Sequence, residues 1–323
     1  MGDNPVTRQR IPNAPEVSVI MPLGPRHEEL VTICHALQRL LSPLVNGFEV
    51  ILVDDCAGAL TRAQVEAATS RCPETRAIRL PRRMGEAIAL ALGAQSARGE
   101  ILVILDPYLH VALEELPKLL APLRNGMDLV CAWRSPRRET GLSRLASNGF
   151  NALARWLTKI PVHDLNCRVR AMRRQVLDDI PVYGDLHRFL PIFAARRGYR
   201  WCEVPVPQQP GKQEVGAFDV RSYLSRFSDL LTLLFLTRFV KRPLHFFGLI
   251  GTSSFLMGLA INLSLIYSKV VLGLPVGHRP MLLLGVLLIV VGIQIASIGL
   301  LGELLIFTHA RDLKDYVIQE TLE

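Results

Sequence analysis

The sequence predicts an α/β protein whose mostly parallel, doubly wound sheet is followed by a membrane-anchoring segment. Up to about residue 220, short apolar runs alternate with helical patterns, which is the order typical of such a sheet. Nearer the C-terminus, two uncharged apolar runs reach the roughly 20 residues needed to cross a bilayer. The mean hydropathy of +0.27 is high for a water-soluble protein and agrees with this division.

One apolar run in the first part of the chain predicts both a central strand and a functional position. Ile101–Leu105 is bounded by Gly99 and Pro107 and ends on Asp106, as expected of a buried parallel strand. Ligands of open α/β sheets bind beyond the carboxyl ends of the strands, so Asp106 occupies a functional position. The alternative from this run alone is a helix N-cap, because Asp before Pro also begins helices.

The other apolar runs predict further strands of this sheet and the helices between them. The predicted strands are Val17–Met21, Phe48–Val53, Arg76–Leu80, Met127–Trp133 and Arg200–Pro205, with a short segment at Val169–Met172. The predicted helices are 26–41, 61–70, 84–97, 113–123, 141–159 and 185–197. The second strand ends on the carboxylate pair Asp54-Asp55, so two strand ends carry acidic residues.

Charge and cysteine content narrow the possible functions. The net charge of +8 favours an anionic partner such as a phosphate or a membrane surface. Nucleic-acid binding is not expected, since no aromatic residues interleave with the basic ones in a stripe. The six cysteines form no C-x-x-C pair and are predicted to be reduced. Residues 1–15 lack an apolar signal core, which places the first domain in the cytoplasm.

The C-terminal part predicts a two-span hairpin, Phe246–Tyr267 and Met281–Leu301. Arginine and lysine flank the pair on its outer sides, so the positive-inside rule places both flanks in the cytoplasm. Glu303 either reaches back to the cytoplasmic face or pairs within an oligomer. The predicted organisation is a flexible N-terminus (1–15), a cytoplasmic domain (16–220), an interfacial amphipathic helix (221–242, with a buried core helix as the alternative), the hairpin (243–310) and a cytoplasmic tail (311–323).

Several motifs follow one another along the chain in a specific order. The motifs are Val17-Ser-Val-Ile-Met-Pro22, Val53-Asp-Asp55, Gly85 with its small-residue helix, Ala97-Arg-Gly-Glu100 before Leu105-Asp106, Asp164-Leu-Asn-Cys-Arg-Val-Arg-Ala-Met-Arg173, Leu186-His-Arg-Phe-Leu190, Glu203-Val-Pro-Val206, Arg242-Pro-Leu-His-Phe-Phe-Gly248 and Gly277-His-Arg-Pro280. In this order they resemble the motifs of glycosyltransferase family 2. The chain is most similar to the branch of polyprenyl-phosphate glycosyltransferases related to dolichyl-phosphate mannose synthase that carry a membrane hairpin.

The resemblance implies a GT-A (Rossmann-like, nucleotide-diphospho-sugar transferase) fold and an inverting transfer of one sugar from a UDP- or GDP-sugar to polyprenyl (undecaprenyl) phosphate. Mg²⁺ or Mn²⁺ is the implied cofactor, and a bacterial inner membrane, with the catalytic domain in the cytoplasm, is the implied location. Relatives with a hairpin often assemble, so a homo-oligomer is an open expectation. The site residues that it implies are Asp106 and Arg188 for catalysis; Asp54, Asp55, Arg83 and Gly85 for the nucleotide-sugar; Arg134, Arg144 and Arg170 for the acceptor phosphate; and Asp106 and His110 for the metal.

The sequence also departs from the family pattern. Tyr108 stands where relatives carry the second aspartate of an Asp-x-Asp motif, and Glu86 stands where a lysine is usual. Arg168 replaces a small residue after the family's cysteine, and the stretch 213–219 lacks the usual serine and lysine. Two hypotheses follow. Either donor binding is rebuilt, with Asp106 and His110 on the metal and Arg83 or Arg168 on the diphosphate, or the chain is a non-catalytic paralogue that binds lipid phosphate or a partner enzyme.

Overall fold

The computed structural model describes residues 14–23, 29–55, 58–106, 109–136, 149, 151–152, 155, 158–180, 184–209, 243–271 and 280–309. These residues divide into two compact units. Residues up to 209 form an α/β unit, and the two helices from residue 243 onward form the second. The predicted helix at 221–242 and the tail at 311–323 lie outside the described residues, so the predicted domain boundaries stay predictions.

The α/β unit is built on one seven-stranded sheet. Its strands are β1 (Val17–Leu23), β2 (Phe48–Asp54), β3 (Thr75–Arg79), β4 (Ile101–Ile104), β5 (Leu129–Arg134), β6 (Arg170–Arg173) and β7 (Trp201–Val206). Its helices are α1 (Leu30–Leu41), α2 (Ala59–Arg71), α3 (Glu86–Ser96), α4 (Leu116–Arg124), α5 (Arg174–Asp179) and α6 (Leu190–Arg196), with 3₁₀ turns at Leu113–Glu115 and Gly184–Phe189. The expected strand–helix alternation is confirmed.

The strand order is β3-β2-β1-β4-β6-β5-β7. Strands β1 to β4 are mutually parallel, while β6 runs antiparallel to both of its neighbours. The chain passes from β1 to β2 on one side and returns from β3 to β4 on the other, so the topological switch point lies between β1 and β4. Apolar residues on the two faces of the sheet form two separate core clusters. Helices therefore cover both faces, which is why β1, β2 and β4 are buried along their whole length.

The second unit is a pair of closely packed helices, α7 (Pro243–Val270) and α8 (Pro280–His309). Both are long and apolar enough to cross a membrane. Small residues permit the close contact, since a Cβ added at Gly251 would lie 2.6 Å from the Gly292 carbonyl oxygen. Ser254 adds a hydrogen bond of 3.0 Å to the Leu288 carbonyl.

Glu303 has a partner within this unit. Its Oε2 atom accepts a hydrogen bond of 3.3 Å from the Leu244 backbone N–H, in the first turn of α7. The first N–H groups of a helix have no intrahelical acceptor, and a carboxylate there is also favoured by the helix dipole. Glu303 thus caps α7 from the neighbouring helix, a role that neither sequence alternative included.

Candidate functional site

The candidate site lies at the carboxyl edge of β1, β2 and β4. Leu23 pairs with Asp54, and Ile20 pairs with Ile104, so these strands end at the same edge. Asp106 follows β4 by two residues and is 2% exposed. The predicted strand is therefore confirmed for Ile101–Ile104, and its carboxylate lies beside the switch point.

Antiparallel β6 brings a cation to the same place. Arg170 pairs with Ile104, and the same register places Arg168 opposite Asp106. The Nη1 atom of Arg168 lies 3.8 Å from Asp106 Oδ1 and 3.4 Å from Oε2 of Glu86, the first residue of α3. The guanidinium therefore lies between two carboxylates from different elements.

Two histidines complete this group of charged residues. His110 Nδ1 is hydrogen-bonded to Asp106 Oδ2, and both side chains are buried. A tight turn at Leu109, whose φ is 46°, brings the ring back onto the carboxylate. On the other side, His187 Nε2 lies 3.7 Å from Glu86 Oε1. We call Glu86, Asp106, His110, Arg168 and His187 the cleft cluster.

A small cleft that is partly open to solvent adjoins the cleft cluster. Glu86, Arg168 and His187 line it together with apolar side chains of α3, among them Leu90. A partly apolar cleft with a few converging charged groups, located at a switch point, is the usual form of a ligand site in an α/β protein.

The carboxylates at the end of β2 both have partners within the protein. Asp55 accepts hydrogen bonds from the backbone N–H groups of Met84 (2.6 Å) and Gly85 (2.9 Å). Gly85 has a φ of 94°, in the left-handed region that favours glycine. Asp55 thereby holds the turn that begins α3. Asp54 Oδ2 accepts a hydrogen bond of 3.2 Å from Arg79 Nε. The predicted contacts of Asp54, Asp55 and Gly85 with a nucleotide stay predictions, as does that of Arg83, whose side chain is exposed.

Two of the three arginines expected at an acceptor phosphate, Arg134 and Arg170, lie in structural interactions. Arg134, at the end of β5, forms a bidentate ion pair with Asp164 (Nε–Oδ2 2.8 Å, Nη2–Oδ1 3.2 Å), and both residues are buried. Arg170 donates to the backbone carbonyls of His187 (2.5 Å), Arg188 (3.0 Å) and Cys167 (3.2 Å). It thus fastens the 3₁₀ turn that carries His187 and Arg188 onto the sheet. Arg144 and Tyr108 lie outside the described residues.

A second polar cluster joins β5 and β7 to the segment at His163 and was missed by reasoning on single residues. The Trp133 and His163 rings stack with their centroids 4.4 Å apart. His163 Nδ1 lies 2.7 Å from Glu203 Oε2, and Glu203 also accepts hydrogen bonds from the backbone N–H groups of His163 and Asp164. Glu203 and Asp164 begin two of the motifs given above, whereas Trp133 and His163 lie outside them, so the motifs indicated only one side of these contacts.

Comparison with known proteins identifies the family. Residues 18–181 match the profile of Glycosyl transferase family 2. The chain belongs to this family. Among curated relatives, the dodecaprenyl-phosphate galacturonate synthase of Rhizobium johnstonii is 26% identical over 95% of this chain and 93% of its own length. The undecaprenyl-phosphate 4-deoxy-4-formamido-L-arabinose transferase of Erwinia tasmaniensis is 29% identical over 95% of this chain and 94% of its own.

Solved structures confirm the predicted GT-A fold. Glucosyl-3-phosphoglycerate synthase from Mycobacterium tuberculosis in complex with UDP superposes with a TM-score of 0.53 and 18% identity, covering 69% of this chain and 80% of that chain. Another structure of that enzyme, with Mn²⁺, UDP and glucosyl-3-phosphoglycerate, gives the same TM-score. Divalent cations thus occur in structural neighbours of this family 2 protein.

The described side chains do not fit such a cation. Nowhere in the described ranges do three His, Cys, Asp or Glu side chains gather as ligands. Asp106, the one carboxylate at the end of β4, has His110 on one oxygen and Arg168 facing the other. A divalent ion on Asp106 would therefore have to displace the His110 or the Arg168 contact. Imidazole nitrogen is also a poorer ligand than oxygen for Mg²⁺. No reaction step is therefore assigned to a metal.

Proposed function

We propose that this protein transfers one sugar from a nucleotide-sugar to the phosphate of a polyprenyl phosphate at a membrane. The supporting observation is the extent of the likeness to the relatives named as polyprenyl-phosphate sugar transferases. It covers 95% of this chain and so includes both the α/β unit and the two membrane-length helices.

The cleft cluster has the chemistry for the donor half of this reaction. The bond between the anomeric carbon and the β-phosphate oxygen breaks, and the nucleoside diphosphate leaves with one additional negative charge. Positively charged side chains that face this oxygen lower the barrier. Arg168, which is a permanent cation, and His187, whose ring N–H can donate a hydrogen bond, line the cleft and would serve this role.

The acceptor needs little chemical activation. A phosphate monoester is already anionic at neutral pH, so its oxygen attacks the anomeric carbon without a dedicated general base. The acceptor enters from the opposite face to the leaving group, which inverts the anomeric configuration. The hairpin of α7 and α8, with basic residues on both outer flanks, anchors the enzyme where its lipid substrate resides and keeps the α/β unit in the cytoplasm.

The test is transfer by purified full-length protein in lipid nanodiscs that contain undecaprenyl phosphate. A panel of UDP- and GDP-sugars is supplied in buffer with both Mg²⁺ and Mn²⁺, so the outcome does not depend on the metal. The expected result is a lipid-linked sugar from at least one donor. Asp106→Asn should abolish its formation while leaving membrane insertion intact.

The proposal is overturned if no donor yields a lipid-linked sugar and no nucleotide shifts the thermal unfolding of the protein. That pair of results would instead support the alternative function, a non-catalytic lipid-phosphate-binding or partner subunit.

A further inference from the structure

The position of Arg168 has a consequence for how this transferase handles its donor. The side chain is 16% exposed and lines the cleft, while Asp106 and Glu86 lie on either side of it. Two carboxylates from separate elements, β4 and α3, restrict where the guanidinium can move. A cation held in this way is already oriented before a ligand binds, so binding costs less conformational entropy.

Arg168 lies beside the carboxylate that would hold a metal. The register in which Ile104 faces Arg170 sets Arg168, two residues before β6, opposite Asp106. Its Nη1 atom lies 3.8 Å from Asp106 Oδ1, so a divalent ion ligated by that oxygen would have to compete with the guanidinium. The remaining oxygen of Asp106 is bonded to His110.

We propose that Arg168 takes the place of the divalent cation, so that this protein transfers its sugar without a divalent metal. The inference rests on the proposed function, since it concerns the donor of that reaction. In the transfer, the C1–O bond to the β-phosphate breaks and its electron pair stays on that oxygen. A new C1–O bond forms to the acceptor phosphate, and no proton needs to move. The charge that develops on the nucleoside diphosphate is bound by the guanidinium of Arg168.

A guanidinium suits this role for three reasons. Its planar arrangement of five N–H donors matches two phosphate oxygens at once. Its charge does not change over the working pH range. A phosphate oxygen also resembles the carboxylate oxygens of Glu86 and Asp106 that the guanidinium already faces, so the guanidinium can bind the donor as it binds these carboxylates.

The first experiment compares the wild-type protein with and without metal. Transfer is measured in nanodiscs with the active donor, in buffer with EDTA and in buffer with Mg²⁺ or Mn²⁺, and binding of the matching nucleoside diphosphate is measured calorimetrically in the same buffers. Equal rates and equal Kd values are expected. Transfer that occurs only with added metal overturns the inference and leaves the proposed function intact, whereas absence of transfer in every buffer overturns the proposed function itself.

The second experiment tests Arg168 directly. Arg168→Gln should lower kcat by about 100-fold or more, as loss of one charge-stabilising donor does in other active sites, and should weaken nucleoside diphosphate binding about tenfold or more. Arg168→Lys should recover part of the binding, since the charge remains. The matched control is Arg62→Gln, which removes an exposed arginine paired only along α2 with Glu66, and both constants should be unchanged. An Arg168→Gln protein that unfolds at the wild-type temperature and retains wild-type binding and kcat overturns the assignment.

Discussion

Replacing Asp164 by alanine should strongly destabilise the α/β unit. The change leaves Arg134, whose side chain is 8% exposed, without the carboxylate that it contacts through two nitrogens. Breaking a buried ion pair from one side typically costs about 3–5 kcal/mol, because the remaining charge cannot be rehydrated. The Arg134 backbone N–H also loses its acceptor, which lies at 3.3 Å. For a unit of this size we expect a fall in Tm on the order of 6–20 °C.

The assay is thermal unfolding of the full-length protein in detergent, followed by near-ultraviolet circular dichroism. The control is the double variant Arg134→Met/Asp164→Leu, which replaces both charges by apolar groups and should recover most of the lost stability. A Tm for Asp164→Ala within about 2 °C of wild type would refute the reasoning. The double variant also tests the predicted contact of Arg134 with the acceptor phosphate. Restored stability without restored transfer would support that contact, and restored transfer would assign Arg134 a structural role alone.

Three further outcomes are expected from other parts of the chain. Gly99→Ala should lower Tm by several degrees, because its Cβ would lie 2.7 Å from a β1 backbone nitrogen, whereas Gly149→Ala, which meets none of the described atoms within 4 Å, should not. Gly258→Ala should destabilise the helical hairpin in detergent, because its Cβ would lie 2.6 Å from a carbonyl oxygen of α8, while Gly248→Ala, with its nearest contact at 3.8 Å, should have little effect. Burial raises the pKa of the Cys131 thiol from 9.0 to about 12. The thiol of the folded protein therefore keeps its proton at a pH at which the unfolded chain has lost it. The free energy of unfolding, measured in urea, should fall as pH rises above about 9, and Cys131→Ala should make this fall less steep. A pH dependence of the variant identical to that of the wild type would contradict this expectation.

Local patterns in the sequence were sufficient to predict the sheet and the spans. A run such as Ile101–Ile104 is typical of a strand whose sheet is covered on both faces, and helices α7 and α8 have the length and composition of membrane spans. The observed helix boundaries differ from the predicted ones where the conformation of the preceding turn sets the first helical residue. The predicted helix at 84–97 begins only at Glu86, because Gly85 adopts a left-handed φ and Asp55 holds the preceding turn.

Contacts between side chains that are distant in the sequence could not be predicted from local patterns. The ion pair of Arg134 with Asp164 joins residues 30 positions apart, and the contact of Arg168 with Asp106 arises only because β6 inserts antiparallel beside β4. An expectation that assigns each arginine to a phosphate by its motif position cannot include such partners. The capping of α7 by Glu303 spans 59 residues and was missed for the same reason.

The proposed reaction is tested most directly by identifying the nucleotide that is released when the lipid is glycosylated. With the active nucleotide-sugar and undecaprenyl phosphate in nanodiscs, the lipid product and the released nucleotide are quantified together by mass spectrometry. The account predicts a lipid that has gained one sugar and no phosphate, with one nucleoside diphosphate released for each lipid product. Release of nucleoside monophosphate with a sugar phosphate on the lipid, or of nucleoside diphosphate without any glycosylated lipid, would contradict it.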